Sequence, residues 1–480
     1  MRQFLRHVQR HVERHVQRHV QRHVQRHVQR HVQRYVQRHF LFVLALLPLG
    51  LDAQAPLDAY VEQGLRQNLT IRQQALVVAR SEAALREARG NFLPTATLNA
   101  RYTNVSGQVV NLGELINPAF AALNQILGAP QFPTDIDLRL PLKQETAIRV
   151  AQPIFRAEIY SGYRAASAAR DVQEASYGAA ERALAAEIRS GYVNHGKALK
   201  LAELRAATRQ LLEEQVRVMS RLVEAGRATP DALSRARAEL SEAQQREAEA
   251  AQLVSATAQS FNMIVGRPIT DPVAMVEASA LGLEALPTLD EALAMGQDRR
   301  EELRALDAAR RAADAQKQVA QGSYLPNLAV ALDYGVQGNE YRFNRDADFA
   351  LVSLVASWNL FNGGRDRARV QQAQLEAQRY TLQGEDARRG VELQVRLAWQ
   401  AAAVARQAIE TAESQREAAE RTWQLVSRRA EEGLASPLEL SEARTARTGA
   451  QLNAVFTTFD YYLRRVELDR AAALYPRTTP

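Results

Sequence analysis

Cysteine is absent from this 480-residue chain. That excludes disulfides, thiolate metal sites, a cysteine nucleophile and an N-terminal lipidated cysteine. Lysine occurs only at 143, 197, 200 and 317. Eight of the nine histidines precede residue 40, so His195 is the one histidine in the remainder. Aromatics make up 6% of residues. With abundant alanine, that composition suits long helices packed close together better than a thick globular core. The apolar run Phe40–Leu51, about a dozen residues, is too short to cross a bilayer as a helix.

A basic surface is also missing from most of the chain. The formal charge is +7, but residues 1–55 carry ten Arg against Glu13 and Asp52, which is +8, so the rest stands at −1. A nucleic-acid binder needs its basic face on the folded part, so no nucleic-acid partner is expected. Enzyme signatures are lacking too. There is no nucleophile motif, Gly-rich phosphate loop or metal-spaced carboxylate set, so no activity, cofactor or metal is expected. His195 falls on a helix seam, where a packed or solvated histidine is expected rather than a catalyst.

What is present begins with a leader. Arg-His-Val-Gln repeats from Arg6 to Arg38, followed by the apolar run and Ala53-Gln54-Ala55. A basic stretch, a short apolar core and a small-x-small site describe a secretory signal peptide, cleaved after Ala53 or Ala55. The repeated histidines do not form a metal ladder. A period of four drifts by about 40° per repeat against the 3.6-residue helix, so they spiral around the axis.

Residues 56–476 form two repeats, 56–285 and 286–476, with a short tail at 477–480. Leu57-Asp58 matches Leu289-Asp290, and Gly90-Asn-Phe-Leu-Pro94 matches Gly322-Ser-Tyr-Leu-Pro326, all 232 residues apart. Gly226-Arg-Ala-Thr-Pro230 matches Gly433-Leu-Ala-Ser-Pro437, 207 apart. The first half therefore carries an extra segment, Ser106–Gln144, read as a loop from its Gly, Pro and Asn punctuation. Each half opens with a helix of about 35 residues, Leu57–Arg89 and Leu289–Gln321, stopped by Leu-Pro. Period-two stretches follow, at Thr95–Val105 and Asn327–Val336, then second strands at Thr146–Phe155 and Phe349–Phe361 with Trp358 near its end. About ten residues suits a tilted strand crossing a bilayer, although a soluble hairpin half-buried on a core has the same pattern.

Helical sequence then runs from about Ala157 to Glu224 and from about Asp366 to Glu432. Each spans roughly 100 Å at ~1.5 Å per residue. The second shows a heptad seam through Val391, Val395, Ala398, Ala402, Ala405, Ile409 and Ala412, continuing at Ala419, Trp423, Val426 and Ala430. The returning helix carries Leu452, Phe456, Phe459, Leu463 and Val466, and the first half carries Leu204, Leu211 and Val218. These are antiparallel coiled-coil hairpins turning at Gly226–Pro230 and Gly433–Pro437. Four strands cannot close a barrel and lipid tolerates no open sheet edge, so a membrane role requires several copies. Three copies supply twelve strands. The alternative is a structural coiled-coil scaffold of the cell envelope.

This order of elements, with the paired turns, resembles the TolC-like outer-membrane efflux and secretion channel family. The resemblance implies a mainly α protein with a membrane β-barrel portion. Three protomers would share a 12-stranded barrel in outer-membrane lipid and an α-helical tunnel in the periplasm. It implies a passive exit duct of a tripartite efflux pump or type I secretion system, with a periplasmic adaptor and an inner-membrane pump as partners. It also assigns adaptor docking to the turns (Gly226, Pro230, Gly433, Pro437) and an aperture to Glu439 and Glu442, with Asp231 near the first turn. Polar latch positions of the family are occupied here by Ala430 and Ala435.

Overall fold

A computed structural model describes residues 55–104, 110–136, 139–140, 143–275, 285–338 and 347–475. The leader and signal-peptide expectation, and the tail at 477–480, lie outside these residues. The chain divides into residues 1–55 and 56–480, and the second unit is the one described below.

Two helices, α1 (Ala55–Gln67) and α2 (Leu69–Gly90), lead into β1 (Thr95–Tyr102). After it come β2 (Val110–Asn111), α3 (Leu112–Leu127), β3 (Arg139–Leu140) and β4 (Gln144–Phe155). The first hairpin is α4 (Ala157–Glu224) with α5 (Pro230–Val265). The second half repeats the order as α6 (Leu289–Arg299), α7 (Glu301–Gly322), β5 (Asn327–Gly338), β6 (Asp348–Ser357), α8 (Arg365–Glu431) and α9 (Pro437–Ala471). α4 is 68 residues long and α8 is 67, so each extends roughly 100 Å.

Four of the strands form one antiparallel sheet in the order β1-β4-β5-β6, and β2 pairs with β3 in a separate two-stranded ladder. The helices are layered in the same sequence. Next to the sheet, α2 packs on α4, α4 on α7 and α7 on α8. Toward the turns the order becomes α5-α4-α9-α8. The core lies midway. There α1 and the α4/α5 hairpin bury Val61, Ile188, Tyr192, Phe261 and Val265, while α6 and the α8/α9 hairpin bury Ala292, Val391, Val395 and Leu468.

Two expectations are corrected here. The opening helix of each half is not continuous. It breaks at Asn68 and at Arg300, which are repeat counterparts, both with extended backbone. Asn68 caps α2 by accepting from the Thr70 and Ile71 amides, and its Nδ2 donates to the Ile264 carbonyl at 2.8 Å. Arg300 donates to the carbonyl of Ala471, the counterpart of Ile264, at 3.1 Å. Neither break has Pro or Gly at the break residue. Tertiary hydrogen bonds to a neighbouring helix end make the interruption favourable. The extra segment at 106–144 is also not all loop. Leu112, Ile116 and Phe120 recur at helical spacing, Asn111 caps the start, and Gly128 ends α3 at φ +66°. Asn117 and Asn124 then bind the backbone of Ile136 and of Gln131 and Phe132.

The seam of α8 is as expected: Val391, Val395, Ala398, Ala402, Ala405 and Ala412 are buried. The first-half trio is not. Leu211 and Val218 are exposed and Leu212 packs instead. α4 lies between α5 and α9, so its buried residues divide between two neighbours and one seven-residue stripe cannot describe them.

The ends of the return helices are counterparts as well. α5 ends on Gly266 at φ +83° and α9 on Ala473 at φ +52°, each with an i→i−5 hydrogen bond, Arg267 to Asn262 and Leu474 to Asp469. Buried Asn262 donates to the Ile269 and Asp271 carbonyls. Its counterpart Asp469 cannot donate as a carboxylate. It accepts from Arg465 at 2.9 Å, and burial pushes its pKa up despite that partner. A raised folded-state pKa contributes stability that is complete below the unfolded value and is lost as pH rises through the folded value. Asp469→Asn should therefore raise the melting temperature at pH 7. The advantage over the parent should shrink as pH falls toward 4. Thermal melts at both pH values check it, and an equal difference at both would refute the assignment.

Candidate functional site

Two regions of the fold can carry function: the hairpin tips and the sheet. At the tips the duplication is reproduced in the backbone of the two turns. Gly226 and Gly433 take φ +67° and +76°, conformations that only glycine adopts freely. Arg227 donates to the Leu222 carbonyl and Leu434 to the Arg429 carbonyl, both at 2.7 Å, closing the same helix-terminal motif. Pro230 and Pro437 occupy the first position of the returning helices, where no amide is needed.

The acidic residues near the turns differ in state. Glu439 is the third residue of α9. Its Oε2 accepts from the Ser436 amide at 2.7 Å while its own amide donates to Ser436 Oγ at 3.2 Å. This capping box holds its carboxyl below the usual range, chiefly through the Ser436 backbone amide, with Arg429 as a further cation. Glu442 is exposed on the same face one turn later. Asp231 is drawn back by the Thr229 hydroxyl and by Arg235, 2.5 Å away, which lower its pKa. That exposed partner offsets part of its charge at the first turn.

A residue that sequence reasoning missed stands behind the tips. Arg444 is 8% exposed. From α9 it donates to Gln215 on α4, to Glu239 on α5 at 2.6 Å and to Ser441 at 3.1 Å, joining the two hairpins. Its repeat counterpart Arg237 is exposed, and nothing local in the sequence separates the two.

The sheet has two faces. On one, Leu98, Ile148, Tyr334 and Ala350 stand in one row, and Ala96, Val150, Leu332 and Val352 in the next. Leu98, Ile148, Leu332, Tyr334, Val352 and Leu354 are exposed there. The other face carries Thr95, Thr97, Asn99 and Arg101 on β1. On this face Arg149 grips Asp333 through two bonds of 2.6 and 3.1 Å, and Arg101 pairs with Glu145 at 2.5 Å. Where strands meet helices, each end bears an exposed aromatic–aliphatic pair: Phe92-Leu93, Ile154-Phe155, Tyr324-Leu325 and Leu360-Phe361. Trp358 Nε1 donates to the Tyr324 carbonyl at 3.0 Å.

His195 is packed, at 4% exposure. Its Nδ1 lies 3.0 Å from Thr257 Oγ1, which also reaches the Leu253 and Val254 carbonyls. Burial lowers its pKa and keeps the ring neutral. Among the described residues no group of His, Asp and Glu could hold a metal ion, and no helix is long and apolar enough to cross a membrane.

Residues 292–473 match the family model described as outer membrane efflux protein. No curated protein sequence matches the chain. Among solved structures, CusC, studied for folding and transmembrane channel formation, is 14% identical and aligns over 90% of this chain and 95% of its own, with a TM-score of 0.73. The outer-membrane channel CmeC of Campylobacter jejuni is 15% identical over 87% and 85%, with a TM-score of 0.72. The open-state outer-membrane channel MtrE of Neisseria gonorrhoeae is 19% identical over 87% and 88%, with a TM-score of 0.70. The second half of the chain thus carries the efflux-protein signature, and the whole described chain has the protomer fold of these channels.

Proposed function

We propose that this chain is the protomer of an outer-membrane exit duct, passing cargo from periplasm to exterior without chemistry of its own. The observation that carries this is the sheet: four strands with an exposed apolar face, unpaired at β1 and β6 among the described residues, mounted on hairpins of roughly 100 Å. In lipid the unpaired edges must be satisfied, and three copies joined β6 to β1 give a closed barrel of twelve strands. The apolar rows then face lipid, and the Arg149–Asp333 and Arg101–Glu145 pairs line the lumen. The four aromatic–aliphatic pairs form a girdle at the inner membrane–water boundary. The helices continue the barrel as a periplasmic tunnel, and the turns at Gly226 and Gly433 meet an adaptor and, through it, an inner-membrane pump. A trimer in detergent by light scattering, extracted from outer membranes, is the expected result. A monomeric or dimeric particle would overturn the reading.

The aperture belongs to the second turn. Threefold symmetry brings three copies each of Glu439 and Glu442 to the narrow end, a ring that attracts cations. Glu439 divides its charge between the pore and its own helix start, whereas Glu442 is unencumbered by such a cap. In planar bilayers the parent channel should be cation-selective and blocked by multivalent cations. Glu442→Ala should weaken both properties more than Glu439→Ala, and the double substitution should abolish them. Unchanged selectivity and block in the double variant would remove these residues from the aperture.

A further inference from the structure

We infer that α3 is a cap on the outward mouth of the duct, in which the exposed faces of three copies pack together around the threefold axis. The inference rests on the trimeric reading above. β1 and β4 join the helices through Thr95 and Phe155, so the segment between Tyr102 and Gln144 stands at the opposite, outward end of the sheet. The corresponding connection of the second half, from Gly338 to Asp348, is too short to hold the 16 residues of α3.

The orientation of α3 is set by its own chain. Asn117 exchanges two bonds with the Ile136 backbone, both of 2.9 Å, and Asn124 holds Gln131 and Phe132. The Phe120 ring lies 5.2 Å from that of Phe132. The strap passes so close that a Cβ on Gly113 would collide with the Ile136 carbonyl. Gly113, Asn117, Phe120 and Asn124 therefore form the face turned to the strap.

The opposite face is apolar and uncovered. Leu115, Ala119, Ala122 and Ile126 are exposed, Leu115 at 78% and Ile126 at 81%. Their steps of four, three and four are the a/d spacing of a coiled-coil seam, and at ~100° per residue they fall within an arc of about 60°. No charge enters that arc. Between Tyr102 and Leu138 no residue is basic, and the acids are Glu114, Asp135 and Asp137. A helix lying on a membrane surface carries Lys and Arg on its polar face. Here the polar face is spent on the strap, so the partner that suits the stripe is a second copy of itself.

The scale agrees. Twelve strands about 4.8 Å apart and tilted by about 40° enclose a mouth about 24 Å across. Three helices with axes about 9 Å apart make a bundle about 20 Å wide. Threefold symmetry presents the same stripe three times and closes the contact. The two alanines at its centre keep each contact small, so passing cargo can part the helices.

Because the chain has no cysteine, the test uses single substitutions. Leu115→Cys and Ile126→Cys are purified as the detergent-solubilised full chain and oxidised with copper phenanthroline. Disulfide-linked dimers on a non-reducing gel are expected from both. Ala121→Cys, exposed but turned about 130° from the stripe, should give none. On intact cells, a bulky polyethylene-glycol maleimide should label Ser353→Cys on the lumen face slowly, and faster once Leu115→Asp/Ile126→Asp is added. A trimeric particle without cross-links, or with equal cross-linking through Ala121→Cys, would overturn the cap while leaving the duct intact. So would a solvent-sensitive fluorophore on Ile126→Cys that shifts to the blue only when the trimer enters vesicles, since the stripe would then lie on lipid. A particle that is monomeric by light scattering would overturn the duct itself.

Discussion

Leu332→Arg is expected to abolish assembly into the membrane. Leu332 is at the middle of β5, an inner strand, between Val150 and Val352 on the apolar face. A guanidinium there would face the hydrocarbon core, at a cost of about 2–4 kcal/mol at the bilayer midplane. The cost arises three times in a trimer, and no neighbouring carboxylate on that face offsets it. Ser353→Arg, on the opposite face of β6, places the same charge toward the lumen and should assemble normally. Folding into vesicles, followed by the gel mobility of the trimer with and without heating, separates the two. Equal assembly of both variants would mean that the apolar face does not meet lipid.

The second large effect is expected midway along the molecule. Glu301 is 1% exposed and receives two bonds from Arg182, at 2.8 and 2.7 Å. Arg182 belongs to the first half and Glu301 to the second, and Arg182 also binds the Tyr475 carbonyl at 2.9 Å. Close by, the Arg189 guanidinium lies 3.5 Å over the Tyr475 ring, so the end of the chain is bound to the first hairpin from two positions. Removing one partner of a buried pair leaves an uncompensated charge, which costs about 3–5 kcal/mol. Glu301→Ala should lower the apparent melting temperature of the detergent-solubilised protein sharply. Arg182→Met/Glu301→Leu should recover most of the loss, because the charge is then gone and the volume refilled. Additive losses in the double variant would show that the pair does not act as a unit. Glu439→Ala, at an exposed helix start, should lower the melting temperature far less.

Local chemistry makes much of the fold legible in the amino-acid sequence. Gly226 and Gly433 announce left-handed helix ends, and Pro230 and Pro437 announce helix starts. Each acts through its own backbone, so the hairpin turns can be read residue by residue. The period-two pattern of Asn327–Val336 and the stripe from Val391 to Ala412 are legible for the same kind of reason. A face that must be buried on every turn or every second residue leaves its period in the sequence.

What only the tertiary structure decided depends on partners distant in the chain. The breaks at Asn68 and Arg300 are stabilised by carbonyls of Ile264 and Ala471, some 170–200 residues away, and no local rule anticipates a helix broken by another helix's end. Arg444 and Arg237 occupy matched places in the two repeats, yet only Arg444 finds Gln215 and Glu239 across the neighbouring hairpin. Glu439 is the opposite case: its capping box with Ser436 joins residues three apart and is local. Composition and periodicity determined that this chain forms long hairpins and amphipathic strands, because those follow from each residue and its near neighbours. Which residues became breaks and clamps was settled by the packing of one half against the other, since matched positions meet different neighbours there.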